Sequence, residues 1–129
     1  MSKYWVVGFT EAEGSFYLTK KSPSRISHCF EISQKKDKIV LKGISLLLDM
    51  KVMCKNTYFT CKTINQASVH KVIHYFFRTI KGMKSLEYRI WSRSFRKKNS
   101  FEELVKIQKI MNNLRNKVLI TQINYASIL

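Results

Sequence analysis

Hydrophobic and polar positions follow two different periods along the chain, and each change of period marks the boundary of an element. Residues 2–13 begin with an apolar helical pattern, and Gly14 follows, the residue type most often found just past a helix end. Residues 15–21 and 25–33 alternate with a period of two, which predicts two strands. The only proline turns the chain between them. His28 falls on the apolar side of the second strand, which predicts an interior histidine.

The middle of the chain repeats this order. Residues 38–49 carry apolar side chains at helical spacing. Residues 51–63 predict a hairpin that turns at Asn56-Thr57, and residues 66–80 predict an amphipathic helix that the next glycine ends. The hairpin register places Lys51 opposite Lys62, which predicts that one face of it is basic and polar.

The last third predicts helices. One covers residues 85–97, and a second opens at Ser100 and runs through Leu114. The apolar tail, residues 118–129, fits either a short helix or a docked strand. The order predicts an α+β fold, αββαββα, with a four-stranded antiparallel sheet and its helices on one face.

Helices on one face of this sheet leave the other face to solvent. A polar and basic face with interspersed tyrosines suits nucleic acid, since β-ribbons fit the major groove of DNA. The residues predicted to form this nucleic-acid-binding face are Ser15, Tyr17, Thr19, Lys21, Arg25, Ser27, Glu31, Lys55, Tyr58, Thr60 and Lys62.

The charge balance supports this interpretation. The chain has 129 residues, with 24 Lys plus Arg against 8 Asp plus Glu, and a net charge of +16. An excess of this size indicates a polyanionic partner, nucleic acid before an anionic membrane surface. No apolar run reaches the ~18 residues of a membrane span. The amino terminus lacks a signal or transit peptide, and a composition rich in Lys, Ile and Asn suggests an organelle genome, such as that of a mitochondrion.

Two acids at the end of the first helix need an explanation, because a helix C-terminus carries partial negative charge. Gly8 and Ala12 lie four residues apart on one side of this helix, where small residues let a second helix approach closely. A second copy would bring two Glu13 carboxylates together. Mg²⁺ would relieve their repulsion, which predicts a metal-dependent nuclease centre. The alternative is that Glu11 and Glu13 are solvated residues at a frayed helix end.

The segment VVGFTEAEG, residues 6–14, resembles the motif of the LAGLIDADG homing endonucleases. Gly8 matches the first glycine of that motif, Ala12 its second alanine and Glu13 its penultimate acid. The order αββαββα also matches the repeat of this family.

Two further segments carry the resemblance. EISQKKDK, residues 31–38, is similar to the family's second strand and the turn into its middle helix. GMKSLEYRIW, residues 82–91, is similar to its G-x-K-x-L-x-x-x-x-W segment. The resemblance covers roughly residues 3–117, so we predict an endonuclease-like domain over residues 1–117 and a tail over residues 118–129.

The resemblance implies specific roles. The motif helices would form the interface between two domains, and each would contribute one acid, here Glu13, to the Mg²⁺ sites. Gln34 and Lys84 match positions that organise water and transition-state charge around the scissile phosphate. Without the family, Gln34 would be a solvated turn residue and Lys84 one phosphate-contacting lysine among many. The outward residues of the sheet would read double-stranded DNA.

This chain departs from the family in having one motif. A homodimer with its interface at Gly8 and Ala12, or a complementary half of a longer protein, would supply the second acid. The short loops also fit another outcome in the same fold, a catalytically silent protein that binds structured RNA, such as an intron maturase or a ribosome-associated component. His70 and His74 have metal-binding spacing, but a third ligand is not evident from the sequence.

Overall fold

The computed structural model describes the backbone of residues 2–128 and the side chains of residues 2–117. A short 3₁₀ turn separates the last two helices. The elements are α1 (Lys3–Glu13), β1 (Gly14–Ser22), β2 (Arg25–Gln34), α2 (Lys38–Leu48), β3 (Lys51–Cys54), β4 (Phe59–Thr63), α3 (Gln66–Phe76), α4 (Ser85–Ser94) and α5 (Phe101–Ile128). This order confirms the predicted α+β class and the αββαββ repeat followed by helices.

The four strands form one antiparallel sheet in the order β1-β2-β4-β3. Lys51 pairs with Lys62, as the sequence predicts, and Glu31 pairs with Lys62 on the other side of β4. The Lys55 N–H donates to the Tyr58 carbonyl at 2.8 Å, so the second hairpin turns at the predicted position. Because side chains alternate along a strand, this register keeps the predicted polar residues of the paired strands on one face, except at Lys21, where the pairing of β1 with β2 shifts between Lys20 and Ser22.

The other face of the sheet packs under the helices. Phe16 of β1 is fully buried, and its ring centroid lies 5.1 Å from Phe30, 5.0 Å from Trp91 and 5.1 Å from Tyr88. Aromatic rings at these distances add to the apolar area that they bury. The core therefore lies between the sheet and the helices, and it leaves the polar face open.

Side chains from α4 and α5 close the outer edge of β1. Glu87 accepts a hydrogen bond from the Phe16 N–H at 3.4 Å, and Arg115 Nη2 donates to the Phe16 carbonyl at 2.9 Å. Gln108 Nε2 donates to the Leu18 carbonyl at 2.9 Å. These contacts occupy backbone groups that an exposed edge would offer to another strand.

Helix α3 ends earlier than the sequence predicts. The pattern predicts a helix over residues 66–80, but α3 stops at Phe76, because Phe77 has an extended ψ of 121° and Arg78 a left-handed φ of 59°. Phe77 is consequently 61% exposed, although its spacing predicts burial, while Ile80 returns to the core at 7% exposure. The chain changes direction at Phe77 and Arg78, so the residues after them no longer follow helical spacing.

His28 is an interior residue, as predicted. It is 3% exposed, and its Nε2 lies 2.8 Å from Ser94 Oγ. Ser94 Oγ donates to the Trp91 carbonyl at 2.8 Å, so it accepts from an Nε2–H of His28. Burial lowers the pKa of His28 to about 4, which keeps the ring neutral at physiological pH.

The carboxyl-terminal backbone belongs to α5, so the helical alternative for residues 118–129 is confirmed as far as Ile128. The side chains of this tail lie outside the described residues. The predicted boundary at residue 117 stays a prediction, since α5 runs across it. Within the described chain, α5 and the other helices are all too short or too polar to cross a bilayer.

Candidate active site and nucleic-acid interface

The corner between α1 and β1 fixes the position of Glu13. Gly14 starts the strand directly after the helix, and its N–H donates to the Thr10 carbonyl. A Cβ on Gly14 would lie 2.8 Å from both the Thr10 carbonyl oxygen and its Cγ2, too close for any other residue without a shift of the corner. Glycine therefore allows the abrupt exit of the strand, which leaves Glu13 exposed as the last residue of α1.

An open cleft of about 390 Å³ joins Glu13 to the end of β2. Gln34 is the last residue of β2, and its Oε1 accepts a hydrogen bond from the Lys35 N–H at 3.0 Å. The structure thus brings together two of the three predicted catalytic residues. The full lining of the cleft is Glu13, Ser33, Gln34, Lys35, Lys36 and Tyr58.

The third predicted catalytic residue, Lys84, lies at the start of α4, where it occupies the N-cap position. It is half-buried and does not line the cleft. Its carbonyl accepts the Tyr88 N–H at 2.8 Å, which fixes its backbone in the first turn of α4.

Glu13 has the chemistry of a ligand for a hard cation. Among the described residues its carboxylate accepts no hydrogen bond and forms no ion pair. Carboxylate and amide oxygens, which Glu13 and Gln34 present, are donors suited to Mg²⁺. The described part of one chain contains no cluster of three or more metal-ligating side chains. Glu13 is therefore a suitable ligand for Mg²⁺. One chain supplies one such carboxylate to the cleft.

The outer face of α1 is open. A Cβ on Gly8 would meet no atom within 4 Å, and Ala12 is exposed on the same side. Tyr4 is 92% and Trp5 45% exposed. The opposite side of the helix carries the buried Val6. An apolar surface of this kind, built around small residues, is typical of an interaction site.

The open face of the sheet contains a hydrogen-bonded network. Tyr17 Oη donates to Glu31 at 2.8 Å, and Thr60 Oγ1 donates to the other Glu31 oxygen at 3.3 Å. Burial raises the pKa of Tyr17 well above its usual range, and its hydrogen bonds to Cys29 and Glu31 add to this effect. Tyr17 therefore stays a donor, and each side-chain oxygen of Glu31 already accepts a hydrogen bond.

Thr60 is buried, although the sequence predicts that it contacts nucleic acid. It is 1% exposed, so as placed its hydroxyl supports Glu31 and does not reach the surface. The sequence pattern puts Thr60 on the correct face, but neighbouring side chains cover it. The other ten residues of the predicted nucleic-acid-binding face are exposed or half-buried, namely Ser15, Tyr17, Thr19, Lys21, Arg25, Ser27, Glu31, Lys55, Tyr58 and Lys62.

Sequence reasoning missed three basic residues near these sites. Lys35 and Lys36 line the cleft beside Gln34, and their place in the segment EISQKKDK was a signal that could have identified them. Arg115 of α5 lies with its guanidinium carbon 5.3 Å from the Tyr17 ring centroid, and its Nε donates to Glu87 at 2.7 Å. No local pattern connects Arg115 with Tyr17, because 98 residues separate them in sequence.

His70 and His74 lie side by side on α3, with ring centroids 4.6 Å apart. Among the described residues they belong to no group of three metal-ligating side chains. Their spacing alone supports no metal site.

Comparisons with known proteins identify the family and the fold of this chain. The family model described as LAGLIDADG endonuclease matches residues 6–95. The probable intron-encoded endonuclease Cox1-I1b of Schizosaccharomyces pombe is 41% identical in an alignment 126 residues long that covers 91% of this chain. The chain spans 33% of the length of that relative.

Solved structures have the same fold. The homing endonuclease I-TnaI matches with a TM-score of 0.73 and 19% identity over 92% of this chain and 98% of its own. The archaeal intron-encoded homing endonuclease I-Vdi141I, complexed with DNA, matches with a TM-score of 0.69 and 23% identity over 87% of this chain and 82% of its own.

The meganuclease I-AabMI, bound to uncleaved DNA, matches with a TM-score of 0.75 and 17% identity over 84% of this chain and 44% of its own. At these identities the structural matches show the fold alone. The family model spans well over half of the chain and includes the corner that holds Glu13. This chain belongs to the LAGLIDADG endonuclease family.

Proposed function

We propose that this chain is one module of a Mg²⁺-dependent, site-specific endonuclease that cuts double-stranded DNA. One observation carries the proposal. Glu13 stands exposed and unpartnered at the end of α1, in the same cleft as Gln34 and beside the open face formed by Gly8 and Ala12. The end of α1 is not frayed, because the Gly14 N–H still donates to the Thr10 carbonyl.

The proposed roles follow from the chemistry of each side chain. Glu13 holds the divalent ion, which when bound supplies an activated water and offsets charge on the leaving oxygen. The Gln34 amide orients water in the cleft. Lys84 offsets negative charge that develops on the phosphate oxygens.

The open face of the sheet is the proposed DNA surface. Its exposed basic residues, including Lys21, Arg25, Lys55 and Lys62, supply phosphate contacts that do not depend on the DNA sequence. The polar residues between them contact base edges, and those contacts specify the site. Two structural relatives, I-Vdi141I and I-AabMI, were solved with DNA, which supports DNA as the partner.

Cutting both strands requires two Glu13-type acids, so the active unit contains two modules paired through α1. The open face at Gly8 and Ala12 supports this pairing. The second module is either another copy of this chain or a complementary half of a longer protein, since the Cox1-I1b relative is about three times as long as the matched region.

The name of that relative supports an intron-encoded origin. We therefore place the protein in a mitochondrion or another organelle. The alternative in the same fold, a silent protein that binds structured RNA, is kept as an outcome of the test below.

A plasmid that carries candidate target sites tests the proposal. We expect nicked and linear products with Mg²⁺ and none with EDTA. Glu13→Gln should abolish cleavage and leave DNA binding intact, whereas Glu102→Gln, an exposed glutamate on α5, should cleave like the wild type. A chain that binds structured RNA and never cuts DNA contradicts the proposal. Size-exclusion chromatography tests the pairing, because a stable monomer that cuts both strands would disprove it.

A further inference from the structure

Glu11, the other acid of the α1 motif, binds the backbone of a distant loop. Its Oε1 accepts hydrogen bonds from the Lys81 N–H at 2.9 Å and from the Gly82 N–H at 2.8 Å. These two residues lie 70 and 71 positions further along the chain. Hydrogen bonds to an ionised acceptor are stronger than neutral ones, so this carboxylate ties α1 to the loop between α3 and α4.

The loop is shaped to receive this carboxylate. A Cβ on Gly82 would collide with the Glu11 carboxylate oxygen and would lie 2.9 Å from its carboxyl carbon. Gly82 does not have a positive φ, so its backbone conformation is open to other residues. A side chain at this position would therefore displace the Glu11 carboxylate, which favours a glycine here.

The same loop carries Lys84. The Gly82 carbonyl accepts the Ser85 N–H at 3.0 Å, which closes a turn around Lys84 immediately before α4. One turn further, Glu87 ties α4 to β1 through the Phe16 N–H at 3.4 Å. Two carboxylates thus hold the start of α4 against the α1–β1 corner, and Glu13 lies two residues beyond Glu11 on that corner.

We propose that Glu11 is a positioning residue, whose carboxylate holds the Lys81–Gly82 amides and so sets the place of Lys84 relative to Glu13. The inference rests on the proposed function for the role of Lys84. It explains why the motif helix carries two acids near its C-terminus. Glu13 stays free for a ligand, whereas Glu11 is occupied within the chain.

Amide hydrogen exchange tests the tie without any cleavage. In the full chain, the Lys81 and Gly82 amides should exchange at least about tenfold faster in Glu11→Ala than in the wild type, since they lose the Glu11 oxygen as their acceptor. Glu102→Ala should leave both rates unchanged. Equal exchange in Glu11→Ala and the wild type would overturn the proposal.

Single-turnover cleavage with Mg²⁺ tests the consequence for Lys84. Glu11→Ala removes the oxygen that accepts both amides, whereas the side-chain oxygen of Glu11→Gln would still accept them. Glu11→Ala should slow cleavage by about 10- to 100-fold, as expected for a misplaced group, and Glu11→Gln by less, with a DNA Kd within about twofold of the wild type for both. Gly82→Ala should have the same effect, because it displaces the carboxylate from the other side.

A double-mutant cycle separates positioning from a general structural role. In a Lys84→Met background, Glu11→Ala should slow cleavage by less than about threefold further, since its effect acts through the missing lysine. Independent, multiplicative losses would overturn the proposal. A wild-type chain that cuts no DNA would overturn the proposed function, while the exchange of the Lys81 and Gly82 amides would still decide whether the tie exists.

Discussion

The two faces of the sheet use the same strands for opposite purposes. On the helix-covered face, Phe16 and His28 are buried and packed against other rings. On the open face, Tyr17 and Glu31 hold each other through a hydrogen bond, and Lys62 is exposed. Stability therefore depends mainly on one face, and the other can vary with little effect on it.

This separation follows from the period of two in a strand. A substitution at an odd or an even position of β1 or β2 reaches only one face. A face that contributes little to stability can accept charges and polar groups at small cost. The comparison predicts that the free energy of unfolding responds strongly to changes on the covered face and weakly to changes on the open face.

The largest effect is expected for Phe16→Ala. Phe16 is fully buried among Phe30, Tyr88 and Trp91, so its truncation leaves a cavity and should cost about 3–5 kcal/mol of unfolding free energy. Urea denaturation at a fixed protein concentration measures it, since association would otherwise shift the result. Lys21→Ala, at an exposed position of the same strand, is the control, at less than about 0.5 kcal/mol. Similar losses for both variants would refute the division between the faces.

A smaller, pH-dependent effect is expected for His28. Burial lowers its pKa from 6.5 to about 4, so below pH 6.5 the unfolded chain binds a proton that the folded chain excludes. Stability at His28 should therefore fall as the pH drops from 6.5 towards 4, by at most about 3 kcal/mol. His28→Leu should flatten this decline, because it removes the titrating ring. The Ser94 hydroxyl keeps its bond to the Trp91 carbonyl in this variant. An unchanged pH profile in His28→Leu would contradict the prediction.

The sequence predicts those features that depend on neighbouring residues. Alternation in β1 and β2 places the polar residues on one face, and the glycine after α1 marks the corner at Glu13. The register of Lys51 and Lys62 follows from a short turn. Each of these features depends on contacts within a few residues or across one hairpin, where the short connection permits few other backbone conformations.

Features that depend on distant partners were not predictable in this way. The burial of Thr60 and the tie between Glu11 and Gly82 depend on tertiary contacts, the second across 71 residues. The roles of Gln34 and Lys84 came from the family resemblance alone, since neither differs in type or spacing from other polar residues. The cleft places Gln34 beside Glu13, and the position of Lys84 is explained through Glu11.

A still smaller effect on stability is expected for Glu31→Ala. This variant removes the acceptor for Tyr17 and Thr60, so it should cost about 1 kcal/mol of unfolding free energy. Urea denaturation measures the loss. A Glu31→Ala variant as stable as the wild type would show that the network does not persist in solution.

The smallest effect on stability, and a clear one on binding, is expected for Lys62→Ala. Lys62 is exposed and pairs across the ladder with Lys51, so its removal should change the unfolding free energy by less than about 0.5 kcal/mol and can even relieve repulsion. If Lys62 contacts a phosphate, the slope of log K against log salt should become shallower by about 0.9. Lys109, an exposed lysine on α5, is the matched control, and its change to Ala should leave the slope intact. Equal slopes for the wild type and both variants would show that Lys62 contacts no phosphate. That result would contradict the proposal that the open face of the sheet is the DNA surface.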